Sequence, residues 1–503
     1  MSSGAASQQK KIVIVGGGTA GWMAANLMAQ QWRPDQVAVQ VIESPDIGII
    51  GVGEGSTPSL KRFFEILGIP EKAWMPRCNA TYKVNIQFNG WSPASGIESY
   101  SHPFISQTDT FTTRPFHVNC LTRRLGLDVH TAPEDFLLNG MLAKAGKAPV
   151  AGYGFPFVVE YGYHFDSALL GQFLAEEAVK RGVTHTQARV VDVLLGQAGD
   201  IESLACEDGE SVTGDLFIDC TGFRSLLLQQ KLGVEFHSFA ENLFNDAAVV
   251  LPTGVIDPLP VQTESTALSA GWCWQIPLTH RTGNGYVYSS RYISPEAAEQ
   301  ELREHLGLLD ADVEARHLKM KVGQVAEHWH RNCIALGLSQ GFIEPLEATA
   351  LHLVQISVES FIEIFEKGNF TDAGRDEYNQ RVSTNFDHVR NYIVAHYKLN
   401  TRNDSDYWRA NRESAISESL AQLLDVWYRR GDIVQEINRQ GIGGHFSVTS
   451  WHCLLAGYGA FPPLAEQQPG QGDLYQEHQI AEFMSRCGVN FQSNSQVMND
   501  FQD

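Results

Sequence analysis

Apolar residues recur in this chain with two periods, and the changes of period mark its elements. The run Lys11-Ile12-Val13-Ile14-Val15 is almost wholly β-forming and predicts a strand buried on both faces of a parallel sheet. It leads into Gly16-Gly17-Gly18-Thr19-Ala20-Gly21 and then residues 22–29, a stretch rich in helix formers. Residues 37–42 predict a second strand, ending at Glu43. Residues 59–67 predict a short helix. Residues 82–91 alternate as a strand would, with Lys83, Asn85 and Gln87 on one face and Tyr82, Val84, Ile86 and Phe88 on the other. Helices are predicted over 132–144 and 166–181, the second capped by Asp166 and stopped at Gly182.

Strands over 189–193 and 211–220 flank a hairpin turn at Gly209, and 234–292 is β-rich throughout. Ser294-Pro295 opens a helix through His305. Residues 333–338 read as an apolar strand. Leu353, Val354, Val358, Phe361, Ile362 and Phe365 then follow helical spacing, and 372–430 reads as helical. Beyond Ala465 the Gln- and Gly-rich tail is weakly specified.

Strands early and late, with a β-rich section between, predict an α/β fold. A Rossmann-like module of discontinuous segments spans 11–371, its β-rich insertion covering about 234–292. A mostly helical part covers 372–465 and a tail covers 466–503. Gly16–Gly21 fits G-x-G-x-x-G between strand and helix, with an acid at the end of the next strand. Glycines let the backbone turn tightly and approach a pyrophosphate, the helix N-terminus faces that anion, and Glu43 accepts from a ribose hydroxyl. A carboxylate there disfavours a 2′-phosphate, which favours FAD or NAD over NADP. The glycine-rich stretch 47–58 reads either as a surface loop or as a strap over the cofactor.

Composition narrows the partners. The 503 residues are 43% hydrophobic and 19% charged, as in ordinary globular proteins, and are too many for one simple core. A net charge of −21 disfavours nucleic acid and anionic membranes. Eight cysteines without any C-x-x-C pair suit a reduced compartment, and neither a signal peptide nor an apolar run of membrane-spanning length is present, so a cytoplasmic location is expected. His328-Trp329-His330 places two histidines on one strand face without a third ligand, so no metal site is assigned.

Three separated stretches carry a resemblance. The loop Gly16–Gly21, the segment Gly271-Trp272-Cys273-Trp274-Gln275-Ile276-Pro277 fitting W-x-W-x-I-P, and Pro345-Leu346-Glu347 before a helix together resemble the flavin-dependent tryptophan halogenase family. Asp219–Arg224 and His396–Arg409 resemble further family segments. The resemblance implies a two-component enzyme. FAD arrives already reduced from a separate flavin reductase, and reduced FAD, molecular oxygen and halide yield hypohalous acid. That oxidant travels through an internal channel to an aromatic substrate held away from the flavin. Trp272 and Trp274 lie between the two sites. A homodimer is left open.

Within the resemblance, Lys83 matches the family's essential lysine and Glu347 its catalytic glutamate. An ammonium or amine can activate hypohalous acid, and a carboxylate can take the proton lost when the ring regains aromaticity. Flavin binding falls to Gly16, Gly18, Thr19, Ala20, Gly21, Glu43, Gly53, Val190, Gly222, Leu338 and Leu351. Halide is expected at the backbone N–H groups of Thr349 and Ala350. His102 and Phe104 are expected walls for the substrate ring, and Trp451 its other side.

The chain departs from tryptophan-specific members at Ala348, where serine is common, and at Ala350, where glycine is common. Replacing that glycine is expected to cost space and φ freedom at the halide site. The Tyr and Glu cluster that grips the amino-acid head group is not found, which favours indole or another derivative over tryptophan. An FAD-dependent aromatic hydroxylase and a non-halogenating flavin-binding relative remain the alternatives.

Overall fold

The computed structural model describes residues 9–45, 53–468 and 477–501. Residues 47–52 of the glycine-rich stretch lie outside them. Lys10–Val15 is the centre of a six-stranded sheet, paired in parallel with Leu216–Asp219 on one side and Val37–Glu43 on the other. Thr184–Gln187 and Cys333–Ala335 extend it in parallel, and Trp329–His330 closes it antiparallel. Strands that are distant in sequence therefore lie side by side, as expected of a discontinuous dinucleotide module. Helix Thr19–Gln31 packs on this sheet with Trp22, Met23, Leu27 and Met28 buried.

A seven-stranded sheet forms the second layer. Its order runs from Arg316–Lys319 through Ala247–Thr253, Thr282–Tyr288, Gly271–Pro277, Gln262–Leu268 and Asn85–Ser92 to Ile97–Pro103. The helices Ala350–Lys367 and Arg375–Leu399 pack on one another. Buried Phe88, Trp91, Tyr100 and Trp272 belong to the same core as Phe386, Tyr392 and Tyr397 of the second helix. Among the described residues, no helix is long and apolar enough to cross a membrane.

Five expectations change. The alternating stretch 82–91 is two strands. Thr81–Lys83 pairs with Gly162–Phe165, and Asn85–Ser92 joins the large sheet. Between them the Val84 N–H bonds to Val261 O and Val84 O accepts from the Phe104 N–H, so Lys83 and Asn85 belong to different sheets. The helix expected over 132–144 begins only at Leu138, after a 3-10 turn at Pro133–Asp135. Residues 211–220 divide into Ser211–Thr213 and Leu216–Asp219, which also lie in different sheets.

The strand expected over 333–338 stops at Ala335, because Gly337, at φ +63°, turns the chain into a 3-10 turn at Gly337–Ser339. Lastly, the described part of the tail, 477–501, is more ordered than its composition suggests. Helix Glu477–Gly488 buries Ile480 and Met484, Phe491–Ser493 pairs with Lys147–Ala151, and Asn494–Asn499 is helical. Docking against the body supplies order that local propensity does not.

Candidate active site

At the carboxyl edge of the six-stranded sheet the backbone is stripped of side chains for close approach. Gly16 has φ +117°, and a Cβ there would lie 2.2 Å from Cys220 O. A Cβ on Gly21 would meet Gly16 O at 2.1 Å, and one on Gly17 the Glu43 carboxylate carbon at 2.2 Å. Above Gly18 there is open space, and this extended N-cap residue leaves the helix N-terminus without a side-chain cap. Thr19 begins the helix, its hydroxyl reaching Ser167 O at 3.4 Å. Ala20 abuts Gly337, so Leu338 lies next to the loop, and Ser339 Oγ donates to Gly222 O at 3.0 Å.

Glu43 Oε2 lies 3.1 Å from His185 Nε2, and burial raises its carboxyl above the usual range while His185 opposes that. Glu43 O also accepts from the Ala188 N–H, two residues before Val190. Gly53, at φ +75°, lies beside Leu278 and Ile276 of the W-x-W-x-I-P strand end, and Leu351 is buried in the first turn of Ala350–Lys367.

Lys83 is fully buried, and its Nζ has no hydrogen-bond partner among the described residues. Gly55 leaves room for it, since a Cβ there would lie 3.2 Å from Nζ. The Phe104 ring centroid is 5.5 Å away. Burial lowers the Lys83 ammonium to about 7, with the charge of Glu347 pulling the other way. Its neighbour His164 is neutral, because burial and the lysine both oppose its charge. Thr81 donates to Pro277 O at 2.7 Å and so accepts from His164 Nδ1 at 3.0 Å. His164 Nε2 is left to accept from Thr263 at 2.8 Å.

Glu344 and Glu347 share one tight turn, in which the Leu346 N–H bonds to Glu344 O and the Ala348 N–H to Pro345 O. Glu347 is held by two histidines. His102 Nδ1 lies 3.0 and 2.9 Å from its two oxygens, and His396 Nε2 lies 3.0 Å from Oε1. Burial alone would raise its carboxyl, but His102 and His396 outweigh that and hold it well below the usual carboxylate range. His396 Nδ1 in turn meets the Tyr458 hydroxyl at 3.0 Å. Burial lowers the pKa of His396, so it serves as a neutral N–H donor.

Among the described residues, Glu344 has no charged partner. Its Oε2 accepts from Asn245 Nδ2 at 2.8 Å, Trp272 Nε1 at 2.9 Å and the Tyr397 hydroxyl at 2.6 Å, while burial raises its carboxyl. Thr349 caps the next helix with backbone only, its hydroxyl buried without a partner among the described residues, and Ala350 opens the helix. The φ freedom expected to matter at Ala350 is needed instead at Ala348, whose φ is +55°, because the reversal of direction falls one residue before the cap.

Aromatic rings close the space around Glu347. Tyr392 and Phe446 stack with centroids 3.5 Å apart, Trp451 meets Tyr392 edge-on at 4.8 Å, and His102 is 5.9 Å from Tyr392. Trp451 Nε1 has no hydrogen-bond partner among the described residues. Trp272 and Trp274 project from one face of Gly271–Pro277 with centroids 6.2 Å apart. Gly285 sits opposite Trp274, where a Cβ would lie 2.1 Å from the indole.

The chain that carries this glycine cradle, buried lysine and buried carboxylate is similar to known proteins. The sequence profile of tryptophan halogenases matches residues 11–470. The chain belongs to the tryptophan halogenase family. It is 39% identical over 471 residues to the 7-chloro-L-tryptophan 6-halogenase KtzR of Kutzneria sp. (strain 744), covering 88% of this chain and 89% of that one. To the tryptophan 6-halogenase SttH of Streptomyces toxytricini it is 38% identical over 438 residues, 82% of each chain. A solved tryptophan halogenase from Shewanella frigidimarina NCIMB 400 superposes with a TM-score of 0.85 at 31% identity, covering 98% of both chains.

The protein is a flavin-dependent halogenating enzyme with a Rossmann-like α/β fold. The cradle fits a dinucleotide, since Gly16 and Gly21 are required by backbone contacts and open space lies at the uncapped helix N-terminus beside Gly18. Several residues at this tryptophan halogenase site were not assigned from sequence. His396 lay within a segment that resembles the family, but nothing local tied it to Glu347. Tyr397 lay in that same segment, whereas Tyr392, Phe446, Tyr458, His185 and Asn245 carried no motif and emerge only from packing.

Proposed function

We propose that this enzyme takes reduced FAD from a separate flavin reductase and uses oxygen and chloride or bromide to halogenate indole or a related indole derivative. The bound flavin would lie along Gly16, Gly18, Thr19, Ala20, Gly21, Glu43, Gly53, Val190, Gly222, Leu338 and Leu351, and would supply the two-electron oxidation of halide. Thr349 and Ala350 would offer N–H groups to the halide, and Trp272 and Trp274 would separate flavin from substrate. Residues 11–371 would form the flavin module and 372–465 the substrate cover.

The observation that carries this reading is the pair Lys83 and Glu347. The lysine is buried without a partner and lowered to about 7, and the carboxylate is held ionised. Near neutrality Lys83 can donate a proton to the departing oxygen of hypohalous acid or carry the halogen as an amine. Glu347 takes the ring proton, with His102 and His396 fixing its orientation. The substrate ring would lie against His102, Phe104, Tyr392, Phe446 and Trp451. Their apolar faces suit a flat electron-rich ring, and Phe446 offers an amino-acid head group no hydrogen bond.

Incubating the protein with FAD, a flavin reductase, NADH, oxygen, indole and either halide tests this. A halogen isotope pattern in the product supports the reading. A product gaining one oxygen and no halogen defeats it.

A further inference from the structure

We propose that Glu344 is a positioning residue for halogenation, fixing the spacing between the partition indole of Trp272 and the turn that carries Glu347. This inference rests on the function proposed above. Glu344 is wholly buried, and among the described residues no lysine, arginine or histidine donates to it. A buried carboxylate without a cation is costly, and a well-packed apolar residue would serve stability better. What the carboxylate supplies is convergence, because its Oε2 gathers three donors from three elements.

Trp272 Nε1 comes from the strand Gly271–Pro277, Asn245 precedes the strand Ala247–Thr253, and Tyr397 ends the helix Arg375–Leu399. Asn245 is itself fixed, its Nδ2 reaching the Tyr397 hydroxyl at 2.9 Å and its Oδ1 accepting from Tyr407 at 2.9 Å. Glu344 Oε1 has no hydrogen-bond partner among the described residues, so the whole grip passes through one oxygen.

Two routes connect that grip to Glu347. One is the three-residue turn, which ends at Ala348 in a left-handed conformation that packing must enforce. The other is the helix, where adjacent residues divide between the two carboxylates: His396 bonds to Glu347 and Tyr397 to Glu344. Release of Glu344 therefore lets both Trp272 and Glu347 move.

The test compares wild type with Glu344→Gln, Trp272→Phe and the double variant in the reductase-coupled assay, with a hypohalous-acid scavenger in the buffer. Trp indole ¹⁵N–H resonances are recorded alongside. For Glu344→Gln the Trp272 indole resonance moves, and kcat with indole falls roughly tenfold to a hundredfold from misplacement of the reacting groups. KM changes little, the scavenger captures a several-fold larger share of the oxidant, and the double variant is no worse than the worse single.

If Glu344→Gln halogenates at the wild-type rate with an unchanged scavenger share, or its Trp272 resonance does not move, the proposal is wrong. Should Glu344→Gln fail to fold, Trp272→Phe breaks the same bond from the other side and must raise the scavenger share. A wild type that halogenates nothing defeats the proposed function instead, and the Trp272 resonance in Glu344→Gln then decides the contact by itself.

Discussion

Glu344 and Glu347 sit on one turn, are both buried, and are shifted in opposite directions from the ordinary carboxylate range. Glu347 is met by two imidazole nitrogens and lowered, whereas Glu344 is met by an amide, an indole and a phenol and raised. Burial pushes both carboxyls the same way, so the difference lies in the partners. The contrast shows how one short segment can supply an ionised base and an anchor gripped only by neutral donors. Three residues carry the turn from one set of donors to the other.

Substituting Glu347 puts the greatest load on this contrast. Glu347→Gln is expected to lower kcat roughly 10²–10⁴-fold, the usual worth of a proton-transfer group, measured by product formation under saturating indole. A loss no larger than that of Glu344→Gln would abolish the distinction. Lys83 should follow Glu347, since it feels the charge of that carboxylate. Lys83→Met is expected to remove halogenation to a similar degree while making the protein more stable.

The sign of that stability change comes from the lysine's lowered pKa. Lys83 sits near 7 when folded and near its ordinary value when unfolded, so the folded state binds fewer protons between those values. Its burial therefore costs stability in full below about pH 7, and the cost fades as pH rises toward the ordinary lysine value. Lys83→Met should gain roughly 2–4 kcal/mol at pH 7 and progressively less toward pH 10, read from urea melts.

His396→Phe leaves one buried oxygen of Glu347 with fewer donors and should lose roughly 1–3 kcal/mol by the same measurement. In the pH profile of kcat/KM, the limb belonging to Lys83 should move to lower pH in Glu347→Gln, because the charge that raises the lysine is gone. In Glu344→Gln it should stay in place. The smallest effect belongs to the end of the turn. Ala348→Gly removes a side chain from φ +55° and should stabilise by roughly 0.5–1 kcal/mol in thermal melts, the strain relieved outweighing the added chain entropy.

Much of the fold was legible as pattern. The strand, glycine loop and helix at the start lie where the apolar run and its helix formers predict them, and Asp166 and Ser294 cap their helices through side-chain oxygens. The errors fall where one continuous pattern serves two sheets. Residues 82–91 alternate without interruption in sequence, yet the chain changes sheets at Val84. Periodicity records burial and does not record which neighbour does the burying. Residues 477–501 of the tail misled for the converse reason, since their order comes from docking.

By itself the sequence determined the nucleotide cradle and the family, because both reside in short contiguous segments whose residue types are dictated by local backbone geometry. Gly16 and Gly21 admit no side chain, and that requirement is written into the residues themselves. Only tertiary structure decided the chemical states of Lys83, Glu344 and Glu347. Protonation depends on desolvation and on the partners a few ångströms away, and for Glu347 those partners are His102 and His396, 245 and 49 residues from it in the chain.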